Sequence, residues 1–229
     1  MLLTGKLLHA PIVQMALLVG AALAPLLSAA APAAVEVMDD RDFGQAREFA
    51  SDDAQYALQW IVGQGDNQGL PFVIVDKKGA RVFVFAANGR LRGASAALLG
   101  LTPGDHSVPG IEQRSVASLR MDERTTPAGR FVSEPGHNLQ GEAIVWIDYA
   151  AKLAIHRLRP ADPKERRADR LVSATPDDNR ISVGCVVVPV DFYDAVVAPV
   201  LGKSYGVVYV LPETQPVQQV LRATALSLR

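Results

Sequence analysis

From Phe72 onward the chain alternates short apolar runs with turn formers, and this rhythm restricts the fold more than any other feature. Phe72-Val73-Ile74-Val75 and Val82-Phe83-Val84-Phe85 are β-branched and aromatic runs on either side of the turn Lys77-Lys78-Gly79. Asn88-Gly89 is a strong hairpin signal, because both residues tolerate the positive φ of a tight two-residue turn, and it leads into a third segment over 91–98. Residues 143–148 and 153–156 form another strand pair around Tyr149-Ala150-Ala151, 181–188 reads as one strand, and 206–211 as the last. Helical spacing is scarce. Ser51 caps a helix with Ala57, Trp60 and Ile61 on one face and Gly63 as its stop. Pro189 opens a second helix with Phe192, Ala195 and Val196 on one face, ending near Pro199 and Gly202. Val217, Val220, Leu221, Ala225 and Leu228 recur at helical spacing in the tail.

The connections are polar or rich in turn formers. Residues 100–123 read as a long loop with some regular structure, Thr126-Pro127-Ala128-Gly129 as a turn before Phe131, and 159–179 as an insertion outside the core. Many short strands with few helices predict a mainly β single domain, a sandwich or open barrel with one or two accessory helices. There is no strand–helix alternation and no glycine-rich phosphate loop, which disfavours a nucleotide enzyme.

The N-terminus carries a different message. Residues 1–10 hold Lys6 and His9 and no acid, 11–27 are nearly all apolar, and 28–34 are mostly small residues. That order is a secretory signal with a cleavage site. Left uncleaved, the same stretch would be a membrane anchor. The expected organisation is therefore a signal at 1–34, a linker and helix at 35–70, the main domain at 71–212 and a tail at 213–229. A net charge of -1 gives no reason to propose nucleic acid as a partner. The cluster Lys164, Arg166, Arg167 and Arg170 is interleaved with Glu165 and Asp169 and reads as a solvated segment.

An exported chain with a single cysteine is unusual, because exported proteins use cysteine in pairs as disulfides. Cys185 closes Ile181-Ser182-Val183-Gly184-Cys185 and precedes Val186-Val187-Val188. A nucleophilic thiol needs access, a base and donors for an oxyanion; Gly184 offers close backbone approach and Ser182 a hydroxyl. The valine run equally suits an inert buried cysteine. His156 ends the apolar run Leu153-Ala154-Ile155, where a base could reach a neighbouring strand, and equally where a surface histidine would sit. His106 and His137 lie in Gly/Pro-rich loops and are weaker candidates, although His137 could line a site entrance. Asp177-Asp178 suits a turn. No spacing supports a metal site, and no cofactor is expected.

Taken together, these residues resemble the L,D-transpeptidase family, with its YkuD-type domain, over about 72–211. The hairpin from Phe72 through Asp76 to Phe85 is similar to the family's opening hairpin. Thr126-Pro127-Ala128-Gly129-Arg130-Phe131 resembles its T-P-x-G-x-F turn, Ala154-Ile155-His156 the strand bearing its histidine, and Ser182-Val183-Gly184-Cys185 its S-x-G-C signature. The resemblance implies an L,D-transpeptidase-like sandwich or barrel in an exported protein of a bacterial periplasm or envelope. Its substrate would be a peptidoglycan stem peptide. Cys185 would be nucleophile and His156 base and then acid; backbone N–H groups near Gly184 and Cys185 would hold the oxyanion, with Ser182 shaping the loop. Carbapenem-type β-lactams become candidate ligands. Three departures stand out: Arg157 where the family has Gly, the long insertion 159–179, and Val186 and Val187 where a polar residue is common. Arg180 and Arg157 are candidate substitutes for that missing polar group. A non-catalytic wall-binding protein on the same fold is the alternative.

Overall fold

The structure, a computed structural model, describes residues 50–227; the signal expected at 1–34 and the linker as far as residue 49 lie outside the described residues. Among the described residues ten strands form: β1 (Phe72–Asp76), β2 (Arg81–Phe85), β3 (Leu91–Ala96), β4 (Leu99–Gly100), β5 (Gly129–His137), β6 (Ala143–Asp148), β7 (Leu153–Arg157), β8 (Arg180–Ser182), β9 (Val186–Val188) and β10 (Gly206–Val210). Eight of them make one sheet in the order β3-β2-β1-β10-β5-β6-β7-β9, and β4 and β8 pair separately in parallel. Just beyond β3, Leu98 exchanges two backbone hydrogen bonds with Val187 of β9, the opposite edge strand. The two edges of the large sheet are thereby bridged, and the sheet nearly closes. The fold is mainly β, an open barrel.

Alternation along the strands divides the core into two. One face gathers Val73, Val75, Val82, Val84, Val145, Ile155, Val186, Val188, Val208 and Val210. A helical run packs on it, made of Val190–Phe192, Tyr193–Val197 and Ala198–Leu201 (together α3). The other face of β1, β2 and β10 presents Phe72, Ile74, Phe83 and Tyr209 to α1 (Asp52–Gln64) and α4 (Val217–Ser227). All five residues of β1 are buried, as expected for a strand covered on both sides. Each such valine or isoleucine contributes about 1.5–3 kcal/mol by leaving water.

Four local readings change. α1 begins as expected, with Ser51 Oγ accepting from the Ala54 N–H at 3.2 Å, but it runs through Gly63 and ends at Gly65, whose φ of 63° makes the left-handed cap. α3 buries Tyr193, Val197 and Leu201 and leaves Ala195 exposed. Its middle piece, Tyr193–Val197, is a wider π-type turn, which centres the buried face on Tyr193 and Val197; Phe192 and Val196 still pack at its margin, and of the expected face Ala195 alone turns to solvent. β5 is nine residues long and passes through Pro135 and Gly136, so His137 ends a strand instead of sitting in a loop. The stretch 181–188 is two strands, β8 and β9, belonging to different sheets with Cys185 in the break between them.

The insertion also does more than cross solvent. Its short helix α2 (Arg167–Leu171) drops Leu171 onto Leu98 and Val187, forming a small third core outside β9.

Candidate active site

The turn that carries Cys185 is held from three sides. Ser182 Oγ accepts the Gly184 N–H at 3.1 Å and donates to the Cys185 carbonyl at 2.7 Å, which fixes the turn internally. Thr126 Oγ1 donates to the Gly184 carbonyl at 2.8 Å and accepts the Gly100 N–H at 2.8 Å. The Thr126-Pro127 turn therefore straps β4 to the cysteine loop. Gly184 is required where it stands, since a Cβ there would lie 2.9 Å from the Thr125 carbonyl oxygen. Sequence reasoning saw Thr126 as part of a turn; its bridging role depends on long-range contacts that no local signal announces.

The Cys185 side chain points at the start of β7. Its thiol donates to the Lys152 carbonyl at 3.6 Å, and the Ala154 N–H is directed at the sulfur. The residue is half-buried, and desolvation pushes the thiol above its ordinary value, outweighing the Ala154 N–H and the Arg159 charge. Beside it lies a cavity of about 80 Å³ lined by Lys152, Leu153, Val183, Gly184 and Cys185 on one side. The segment 105–125, which we call the flap, supplies Val108, Ile111, Val116, Leu119 and Glu123 on the other. Three single turns, Ile111–Gln113, Val116–Ser118 and Met121–Glu123, shape the flap.

His156 sits on β7, opposite Val187 in the parallel β7–β9 register, and is 7% exposed. Its Nδ1–H donates to the Arg157 carbonyl at 2.7 Å, which leaves Nε2 as the ring's acceptor. Burial pushes the imidazole down to about 4, with the Arg157 carbonyl opposing and the Arg159 charge adding to the fall. At neutral pH the resting pair is thus a neutral imidazole and a neutral thiol. The Cys185 sulfur meets the start of β7 and His156 lies near its end, yet among the described residues no hydrogen bond joins the sulfur to the ring, and His156 does not line the cavity.

The remaining candidates are distributed as follows. The Gly184 N–H expected for an oxyanion is taken by Ser182. Arg180 is bonded to the Glu213 carboxylate and, at 2.9 Å, to the Lys77 carbonyl, so it is a structural cation and does not line the cavity. Arg157 pairs with Asp194, donates to the Ala143 carbonyl at 3.0 Å and stacks 4.2 Å from the Tyr193 ring centre. It too is engaged away from the cavity. Val186 and Val188 face the main core and Val187 the small one, so the apolar run after the cysteine is explained by packing. His106 and His137 are exposed and do not line the cavity. Among the described residues, no group of three His, Cys, Asp or Glu is arranged to hold a metal ion.

Sequence reasoning missed a buried ionic cluster behind the flap. Lys77, read as a turn residue, is fully buried; its Nζ reaches Asp105 Oδ1 at 2.8 Å, the Thr126 carbonyl at 2.9 Å and Glu213 Oε1 at 3.3 Å. Asp105 further accepts the Glu213 and Thr214 N–H groups at 2.8 and 2.9 Å. Burial pulls the Asp105 carboxyl up, but the bonds from Lys77 and Thr214 outweigh it and hold the group well below the usual carboxylate range.

No family model and no curated protein matches the chain. Among solved structures it is similar to an L,D-transpeptidase from Xylanimonas cellulosilytica, with 15% identity over 62% of this chain and 60% of that one, and a TM-score of 0.38. The chain thus matches less than two thirds of that protein's length, and the likeness is a distant one of fold.

Proposed function

We propose that the chain is a cysteine-dependent acyltransferase of the L,D-transpeptidase kind, acting on peptidoglycan stem peptides outside the cytoplasm. The observation that carries the reading is the placement of the lone thiol. Cys185 lies in a braced turn between two sheets, at the wall of a cavity, two residues from the strand position paired with His156. An inert cysteine in a valine run would face one of the two neighbouring cores, and this one does not belong to either.

In the proposed reaction the thiol loses its proton to His156 Nε2, and the sulfur attacks the carbonyl of the diaminopimelate residue. A C–S bond forms and the C–N bond to D-alanine breaks, with the imidazolium returning the proton to the departing amine. An amine of a second stem, or of a protein, then attacks the thioester; a new C–N bond forms as the C–S bond breaks. Water in that role would give a carboxypeptidase. The geometry asks for one rearrangement first, because the thiol must leave the Lys152 carbonyl and turn toward the ring. Apo sites commonly tighten only with substrate bound.

The test is intact mass after exposure to a carbapenem, alongside incubation with tetrapeptide muropeptides. A single adduct on Cys185, release of D-alanine and loss of both in Cys185→Ala support the proposal. Absence of adduct and of release at any pH sinks it. A wall-binding protein without turnover is the second reading, favoured by the raised thiol and the unjoined ring. It requires muropeptide binding that survives Cys185→Ala with no chemistry in the parent.

A further inference from the structure

Two charged side chains line the cavity beside Cys185, Glu123 and Lys152, and their situations differ. The Glu123 carboxylate is already satisfied: its two oxygens meet Arg114 at 2.8 and 2.9 Å, and Oε2 also accepts the Arg120 N–H at 2.9 Å. Among the described residues, Lys152 has no carboxylate within ion-pair distance. Its Nζ donates to two neutral flap carbonyls, Ile111 at 3.2 Å and Glu112 at 3.0 Å. The same residue's own carbonyl accepts the Cys185 thiol at 3.6 Å. Its backbone is fixed by the β6–β7 turn, where the Lys152 N–H bonds the Tyr149 carbonyl at 3.1 Å and φ is 57°.

An ammonium that holds only neutral acceptors gains by exchanging them for an anion, since charge-assisted hydrogen bonds are shorter and stronger. The carbonyls it would release belong to the flap that roofs the cavity, so the exchange would also loosen the roof. Arg159, whose charge also acts on Cys185, is occupied by Glu142 at 2.6 Å.

We infer that Lys152 is a specificity residue of this site: its ammonium exchanges two flap carbonyls for a carboxylate of the acyl donor, selecting an anionic donor and unlatching the flap over Cys185. That this carboxylate belongs to a stem peptide rests on the reaction proposed above. The preference for an anion does not.

The experiment compares alkylation of Cys185 in the folded chain by iodoacetate, which is anionic, and iodoacetamide, which is neutral, followed by intact mass. Lys152→Asn removes the charge and keeps a residue that accepts positive φ; Lys152→Gly does the same without a side chain, so that one failed variant leaves the other. The iodoacetate-to-iodoacetamide rate ratio should fall by about tenfold in either variant and be retained in Lys152→Arg, consistent with a charge acting at short range near the surface. Rising salt should lower the parent's ratio and leave that of Lys152→Asn unmoved. An equal ratio in parent and variants overturns the inference, as does a parent thiol that neither reagent reaches. A chain that shows the charge preference but neither carbapenem adduct nor muropeptide turnover would refute the reaction and keep the role of Lys152.

Discussion

At the scale of single residues, two titrating groups are held neutral by burial, and each makes a prediction. The Cys185 thiol is raised above its ordinary 9.0, so alkylation by iodoacetamide should climb with pH through the ordinary thiol range and beyond. A rate plateau beginning below about pH 7 would mean a thiolate already paired with an imidazolium, and would contradict the resting state described here. His156 moves the other way, from 6.5 to about 4, so the unfolded chain binds the extra proton more readily than the folded one. Stability from this group is complete above the unfolded value, falls as pH drops through the window from 6.5 to about 4, and is flat below. A shift of that size corresponds to roughly 3 kcal/mol. His156→Gln should flatten the pH dependence of urea unfolding across the window and, under the proposed reaction, abolish acyl transfer. An unchanged slope in the variant would show that the imidazole is not the group responsible.

At the scale of elements, the cysteine turn owes its shape to neighbours distant in sequence. Thr126→Val keeps the volume but removes the bonds to the Gly100 N–H and the Gly184 carbonyl, both buried. Leaving such groups without partners costs about 1–3 kcal/mol each, so the variant should lose a few kcal/mol in chemical denaturation and alkylate faster at Cys185. The strand pairs that a turn separates were legible from the chain alone: β1–β2, β6–β7 and the Ser51 cap all follow local rules. The long β5 was not, because Pro135-Gly136 imitates a loop; the strand tolerates both because that half of it pairs with β6 alone and β10 pairs only with 129–133. Splitting of 181–188 into β8 and β9 was equally hidden, since the chain changes sheets there without a change in composition. Cys185 and His156 were visible as candidates. The demotion of Arg180 and Arg157 to structural cations, and the importance of Lys152 and Thr126, depend on which strands become neighbours, and no run of residues reports that.

At the scale of the whole molecule, the Lys77 cluster ties together parts that are far apart in the chain. It joins the β1–β2 turn, the root of the flap at Gly104 and Asp105, β8 through Arg180, and Glu213 beyond β10. Lys77→Met would leave the buried Asp105 carboxylate without its cation, while Glu213 keeps Arg180, and removal of one member of such a buried pair costs about 3–5 kcal/mol. The expected outcome is a large loss in urea stability together with easier opening of the flap, read as faster proteolysis within 105–125. A variant as stable and as resistant as the parent would mean that water replaces the ammonium, and that the cluster does not anchor the flap. Truncation after Leu211 removes Glu213 and Thr214 from the same cluster and should show the same two effects.

The parallel pairing of β7 with β9 has a consequence for how such a chain can be altered. The Leu158 N–H bonds the Val188 carbonyl at 2.7 Å, and Asn179 Nδ2 donates to the Ala97 carbonyl at 3.1 Å, so the segment between is pinned at both ends. Its length does not enter the register that sets His156 opposite Val187. Residues 159–178 therefore behave as an exchangeable cassette. Loops of other lengths could be grafted there, provided each supplies one apolar plug in place of Leu171, and selection could reshape the outer wall beside His156 without disturbing the strand positions of the imidazole and the thiol.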